Sequence, residues 1–489
     1  MIYQSTRNNN EKVNSARAVV KGIADDGGLY MLSDFSKLNF DYKSVLGLSS
    51  METAEKILGV LLDDFTAEEM HLMVEKAYRG RFETDELTPV VKVGDNFVLE
   101  LFRGPTSAFK DVALSMLPRL MTKGREKLGI KKDTVILTAT SGDTGKAALE
   151  GFHDVEGIRI IVFYPDGGVS AVQKAQMVTQ EGSNVCVCAV KGNFDDAQTG
   201  VKNAFAAFAK SGCDTVELSS ANSINIGRLA PQVVYYFTAY SSLVKSGEIK
   251  VGDKINFVVP TGNFGDILAG YFAKCMGLPV NKLVCASNAN NVLTDFINTG
   301  IYDKRREFFK TLSPSMDILV SSNLERLLYL LSGGNADEVA GYMKELNENG
   351  FYKVSDEILK KLQETFVAAY CDDSVPLDTI KEVYDKYSYL CDTHTAVAFK
   401  AALDGKYENK TVILSTASPY KFPVAVLTAL GVTPDRNEFR VMDRINELTG
   451  VKIPKNLSGL EKKKVLHKDV IEKNELTDYV MKKVAEEKW

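Results

Sequence analysis

Lys110 is the residue of this chain best placed for covalent chemistry. It stands in Leu101-Phe-Arg-Gly-Pro-Thr-Ser-Ala-Phe-Lys-Asp111, between an aromatic residue and an acid and just after a Gly-Pro turn. It also opens a run in which Val112, Met116, Leu120 and Met121 recur at helical spacing. A lysine so placed is held on a rigid element and partly desolvated. Desolvation disfavours the ammonium form, and a neutral amine is what condenses with an aldehyde to give a Schiff base. A surface lysine at a helix start would carry the same short pattern, so the meaning of Lys110 depends on the loops elsewhere in the chain.

The first of these is Thr261-Gly-Asn-Phe-Gly-Asp266, between a strand-like run and a helix-like run. Gly262 and Gly265 allow a tight turn and close approach to a ligand, and successive amides converge at the helix amino end. Such a loop binds a phosphate dianion without any lysine. The second, Thr140-Ser-Gly-Asp-Thr-Gly-Lys146, superficially resembles a nucleotide loop. It fails that test because residue 140 is not glycine and residue 147 is alanine, not the magnesium-binding hydroxyl. What remains is a helix amino end where Ser141, Thr144 and backbone amides could hold a carboxylate or phosphate. Helix capping by Ser141 or Asp143 is the simpler account of that loop taken alone. Thr416 ends a late strand, where a hydroxyl can hydrogen-bond the ring nitrogen of a bound pyridine without keeping it protonated. His394, in Asp392-Thr-His-Thr-Ala396, has the intrinsic acidity of an acid–base group, although a buried, satisfied histidine is the plainer reading.

The elements around these residues alternate. Residues up to about 95 read as mostly helical, with Met51–Leu62 and Ala67–Tyr78 patterned for helices. From about 96 the chain repeats strand, glycine loop and helix. Strands are expected at Phe97–Phe102, Thr134–Ala139, Arg159–Tyr164, Asn184–Val190, Lys254–Pro260 and Thr411–Thr416. Helices are expected at Ala171–Gln180, Asp195–Lys210 and Ile224–Leu243. This alternation implies an α/β fold with open, mostly parallel sheets, whose ligands bind at the carboxyl ends of the strands. The segment from about 300 to 405, with helices over Val339–Leu346 and Glu357–Tyr370, reads as a peripheral helical insertion, and the tail from Leu460 as a closing helix. The expected organisation is a helical region over 1–95, a lysine- and substrate-binding part over 96–245, and a phosphate-binding part over 246–489 that includes the insertion.

At 489 residues the chain is too long for one ordinary core. With 45% hydrophobic and 25% charged residues and a net charge of −5, it reads as a globular protein and not a general binder of nucleic acid or anionic membranes. The start lacks a signal-peptide core, and no long uncharged apolar run follows. Cys186 and Cys188 alternate within an apolar strand, so they share a face as packed thiols. The four histidines have no zinc spacing. A cytoplasmic, reduced, metal-free protein is expected.

A Schiff-base lysine, a lysine-free phosphate loop and an α/β fold together suggest pyridoxal phosphate chemistry. The sequence resembles the threonine synthase family, of the fold type II pyridoxal-phosphate enzymes with a tryptophan-synthase-beta-like fold. The matching stretches are Tyr3-Gln-Ser-Thr-Arg7, Gly104-Pro-Thr-Ser-Ala-Phe-Lys-Asp111, Thr138-Ala-Thr-Ser-Gly-Asp-Thr-Gly145 and Ser223-Ile-Asn-Ile-Gly-Arg228. They continue with Pro260-Thr-Gly-Asn-Phe-Gly-Asp266, Ser313-Pro-Ser-Met-Asp-Ile318, Ser322-Asn-Leu-Glu-Arg326 and Ser415-Thr-Ala-Ser-Pro-Tyr-Lys-Phe422, in family order.

By that resemblance Lys110 carries the internal aldimine. Gly262, Asn263, Phe264, Gly265 and Asp266 form the phosphate loop, Thr416 faces the pyridine nitrogen, and Asp143 lies near the phenolic oxygen, where asparagine is common. Ser418 stands where the family usually has histidine, and Lys146 where a small residue is usual. The implied reaction converts O-phospho-L-homoserine and water to L-threonine and phosphate, with Lys110 making most proton transfers. Arg228, Ser141, Thr144 and Lys146 are expected around the substrate phosphate. The implied partner is that small molecule, with the protein a monomer or small homo-oligomer. A related serine/threonine dehydratase, or a non-catalytic threonine-synthase-like binding protein, would share much of the pattern.

Overall fold

The computed structural model describes residues 1–35, 38, 40–213 and 215–486. Two sheets organise it. The larger has six strands in the order Phe366–Tyr370, Val280–Ser287, Ile255–Pro260, Thr411–Ser415, Asn96–Glu100 and Val90–Val93. Every pairing in it is parallel except the last, between Val90–Val93 and Asn96–Glu100. The smaller has five parallel strands in the order Asp469–Glu472, Val185–Lys191, Ile158–Pro165, Asp133–Ala139 and Val216–Ser219. Helices cover both, so central strands such as Ile255–Pro260 and Ile158–Pro165 are buried at every position. Buried parallel strands read as continuous apolar runs, which is how the sequence writes them.

Register puts the loops of interest on one edge. Ser415 pairs with Glu100 and Val258 with Ile413, so the chains leaving residues 100, 260 and 415 emerge side by side. Asn96–Glu100, which leads into the Lys110 loop, therefore lies in the same sheet as the strand that leads into the Gly262 loop. The helix Lys110–Lys127 crosses the helix Asp143–Phe152 closely because of two residues. Pro118 lacks the amide that would bond the Leu114 carbonyl, and a Cβ on Gly151 would fall 2.0 Å from that same oxygen. Glycine is required at 151 by this approach.

Three expectations are corrected. The N-terminal region holds a three-stranded antiparallel sheet, Asn8–Asn14, Ile2–Ser5 and Tyr30–Leu32, beside its helices. Its outer strand is the polar Asn-Asn-Asn-Glu-Lys-Val-Asn, whose composition gives no strand signal. The two expected helices form as Ser50–Leu61 and Ala67–Tyr78, each started by a capping box, Ser49 with Glu52 and Thr66 with Glu69. The run Glu357–Tyr370 splits into a helix, Asp356–Thr365, and the edge strand Phe366–Tyr370. The segment 300–405 is also not peripheral, since that strand extends the large sheet and residues 313–323 pack against the Gly262 loop. The tail folds as the short strand Asp469–Glu472 and the helix Leu476–Ala485.

Candidate active site

A cavity of about 490 Å³ opens where the strand ends meet. Lys110, Asp143, Ser141, Thr144, Arg228 and Thr416 line it together with residues 262–266. Lys146 is the one expected site residue outside that lining.

Lys110 begins its helix and is 9% exposed. Its ammonium lies 4.7 Å from the Phe109 ring centroid and 3.8 Å from Asp143 Oδ2. Burial lowers the Lys110 pKa; Asp143 opposes this, while Arg228 and Lys421 add to it. The net effect favours the neutral amine. The loop before it is strapped down. The Phe109 amide donates to the Thr416 carbonyl at 2.8 Å and the Ser418 amide to the Ser107 carbonyl at 3.1 Å, with Ser107 at φ +64°. Asp111 closes the same loop by accepting from the Thr106 amide at 2.8 Å and from the Thr106 hydroxyl. Burial raises the Asp111 pKa to about 6 against those bonds.

The loop 261–266 is built to present donors. The Gly262 carbonyl accepts from Ser321 Oγ at 2.7 Å, and the Asn263 carbonyl from the Asn323 amide at 3.0 Å and its side chain at 3.1 Å. Phe264 takes φ +63° before the helix Gly265–Cys275. With the carbonyls turned away, the amides of residues 262–266 donate to no acceptor among the described residues. A Cβ on Gly262 would lie 2.9 Å from the Ser315 carbonyl, so the close approach demands glycine there. Free amides at a helix amino end form a seat for an anion. The Asp266 side chain is engaged elsewhere, accepting from Tyr235 at 2.6 Å and Tyr236 at 2.9 Å through Oδ1. Burial raises its pKa to about 6.

On the opposite loop, Thr140 caps the helix. Its hydroxyl accepts from the Gly142 amide at 2.9 Å and the Gly145 amide at 2.8 Å, which relieves Ser141 and Asp143 of the capping role considered for them. The Ser141 and Thr144 hydroxyls are therefore available to the cavity. Asp143 is 3% exposed and accepts from Gln173 Nε2 at 2.9 Å and Lys421 Nζ at 3.0 Å. Burial would raise its pKa, but Lys421, Lys110 and Gln173 outweigh burial and hold it below the ordinary carboxylate range. Arg228 gives one bond to the Ala221 carbonyl at 2.6 Å, while its buried Nε has no partner among the described residues. Burial lowers its pKa to about 10. The Lys146 ammonium turns to Glu150 at 3.1 Å and to Gln180.

His394 is buried on the cavity wall. Its Nδ1 pairs with Asp392 Oδ2 at 2.7 Å, and its Nε2 accepts from the Ser315 amide at 3.1 Å. Sequence reasoning missed Lys421, whose side chain is fully buried, and two glutamines, Gln173 that bonds Asp143 and Gln176 that bonds Lys421. Lys421 lies in the stretch that ends the Thr416 loop, which was the only available signal.

Comparison with known proteins places the chain in a family. The chain matches the family descriptions "Threonine synthase N terminus" over residues 2–78, "Pyridoxal-phosphate dependent enzyme" over 86–418 and "Threonine synthase, C-terminal" over 395–478. It is 41% identical over 435 residues to the Homo sapiens protein Threonine synthase-like 1, covering 85% of this chain and 58% of that protein. The chain thus spans 58% of the length of that relative. It is 36% identical over 463 residues to the threonine synthase of Saccharomyces cerevisiae, covering 88% and 89% of the two chains. The crystal structure of a PLP-bound threonine synthase from Brucella melitensis superposes with a TM-score of 0.88 at 37% identity, covering 99% of this chain and all of that one. The architecture is that of a fold type II pyridoxal-phosphate enzyme, and pyridoxal 5'-phosphate is the cofactor this cavity suits, with a buried amine and a cradle of free amides. The chain belongs to the threonine synthase family of pyridoxal-phosphate-dependent enzymes.

Proposed function

We propose that this chain is a threonine synthase in activity, converting O-phospho-L-homoserine and water to L-threonine and phosphate. The observation that carries the reading is a second set of anion-binding groups in the same cavity. The free amides of residues 262–266 account for one phosphate. Arg228, with its unpartnered Nε, and the Ser141 and Thr144 hydroxyls supply donors for another. A dehydratase acting on serine or threonine has no use for the second set.

In this reading Lys110 holds the cofactor through its amine, residues 262–266 hold the cofactor phosphate, and Thr416 and Asp143 flank the ring. Bound pyridoxal phosphate supplies the electron sink that makes the substrate α-proton removable. Lys110, with its amine free, would be the base within reach. Its Nζ would take the protons from the α and β carbons and return one at γ and one at α. Water adds its hydroxyl at β, and its remaining proton ends on the released phosphate. The lowered pKa of Lys110 suits a group that must accept protons. Arg228, Ser141 and Thr144 bind the substrate phosphate and stabilise it as it leaves from the γ carbon. The same donors orient the substrate so that its α carbon lies beside Lys110.

The test is incubation of the cofactor-loaded protein with O-phospho-L-homoserine, quantifying threonine and inorganic phosphate together. Equal amounts of both support the assignment. Ammonia and a 2-oxo acid from serine or threonine, with phosphohomoserine untouched, point to a dehydratase. The 41% identity to Threonine synthase-like 1 gives one further reading, a protein that binds the cofactor without turning over phosphohomoserine. Loaded cofactor with no product from any of the three compounds would favour it.

A further inference from the structure

Lys421 is a lysine with no exposed surface, held behind the cavity lining against Asp143. Its ammonium faces three acceptors: Asp143 Oδ1 at 3.0 Å, the Thr106 carbonyl at 3.3 Å and Gln176 Oε1. Three acceptors match the three N–H bonds of an ammonium group. Its carboxylate partner is the one that stands 3.8 Å from the Lys110 amine through the other oxygen. Asp143 therefore bridges two lysines, one free to react and one locked.

We propose that Lys421 is a positioning residue that cancels the charge of Asp143, so that the carboxylate orients the Lys110 amine without presenting net negative charge to the cofactor ring. A lone buried carboxylate beside Lys110 would hold the nitrogen in its protonated, charged form. An amide at 143 would orient it without charge. The Asp143–Lys421 pair delivers the neutral result with ionic groups, and Gln173 and Gln176 complete the hydrogen bonding.

The other charged or titratable groups near the pair are engaged elsewhere or make no ion pair with Asp143. Asp111, on the Lys110 helix, is occupied by Thr106. Arg228 approaches from the helix Ile226–Lys245, and Asp266, bonded to two tyrosines, from the helix Gly265–Cys275. Lys146 is paired with Glu150, and His394 with Asp392 and the Ser315 amide. None of them can stand in for Lys421 at Asp143.

The proposal rests on the reading that Lys110 carries the cofactor, and the test separates the two. Loaded protein is titrated while the absorbance of the Lys110–cofactor linkage is followed. Lys421→Met leaves Asp143 uncompensated and moves the titration midpoint up by about one pH unit or more. Asp143→Asn leaves Lys421 as a lone cation and moves it down. Lys421→Met combined with Asp143→Asn restores neutrality and returns the midpoint to within roughly half a unit of the parent. Borohydride reduction and peptide mass mapping of every variant establish separately whether the cofactor is on Lys110. A cofactor on Lys110 with coincident midpoints in all variants overturns the role of Lys421 and leaves the Lys110 assignment standing. Single variants that cannot hold cofactor while the double variant can support the proposal, and a double variant that also loses it counts against. A parent protein whose cofactor is attached elsewhere overturns both.

Discussion

Gly262 and Ser315 meet backbone to backbone: a Cβ on the glycine would lie 2.9 Å from the Ser315 carbonyl oxygen and 3.1 Å from Met316 Cα. Residues 313–323 thus form the back wall of the amide cradle, and they come from a part of the chain whose composition suggested a peripheral insertion. Neither neighbour is a flexible side-chain end, so Gly262→Ala must displace the loop. We expect the variant to fold and to bind pyridoxal phosphate at least about tenfold more weakly, because the amides lose their common focus. Equilibrium loading of cofactor-free protein, followed by absorbance, measures this. Parent-like affinity would mean that the cradle does not hold the phosphate.

Arg228→Ala removes the buried guanidinium with the unpartnered Nε. The Michaelis constant for O-phospho-L-homoserine should rise by about tenfold or more, as expected for loss of a charge-assisted contact. The amount of cofactor bound should stay as in the parent. An unchanged constant would take Arg228 out of the substrate-phosphate site.

Arg326 is wholly buried and ties three parts of the chain together. It donates to the Tyr30 carbonyl at 3.0 Å in the N-terminal sheet, to the Ile224 carbonyl before the Arg228 helix, and to Asn323 behind the Gly262 loop. Arg326→Met leaves those acceptors without donors and should cost about 3–5 kcal/mol of stability. Urea unfolding of the cofactor-free proteins gives the difference. A loss under about 1 kcal/mol would show that the N-terminal region is not fastened through this side chain.

Asp266 gives a pH-dependent prediction. Its folded-state pKa is raised to about 6, above an unfolded value near 4. Between those two values the folded protein holds the extra proton, so this group's contribution to stability falls as the pH rises. Cofactor-free parent protein should lose about 2 kcal/mol from pH 4 to pH 6 relative to Asp266→Asn, which has nothing to titrate there. Unfolding curves at the two pH values measure it. Parallel pH dependence in the two proteins would contradict the raised value.

Much of the site was legible because its chemistry travels with local pattern. Lys110, the Gly262 loop and Thr416 each sit where an apolar strand gives way to a helix or turn, and period and residue type together reveal such junctions. Lys421, Gln173 and Gln176 carry no such mark. Their roles arise from contacts with Asp143 and Thr106 across long stretches of chain, and tertiary contact has no period. Lys146 was expected at the phosphate because it adjoins the right loop, but its ammonium instead meets Glu150 one helical turn on. Among the elements, the polar strand Asn8–Asn14 escaped notice because its pairing, and not its composition, makes it a strand. Phe366–Tyr370 was absorbed into the preceding helix because a short apolar run fits either period.

The central claim is that Lys110, and not the more deeply buried Lys421 beside Asp143, bears the cofactor. Borohydride reduction of the loaded protein followed by peptide mass mapping tests it most directly. The pyridoxyl mass should appear on the peptide containing Lys110, and Lys110→Ala should abolish it. A label on Lys421, or retained labelling in Lys110→Ala, would contradict the assignment.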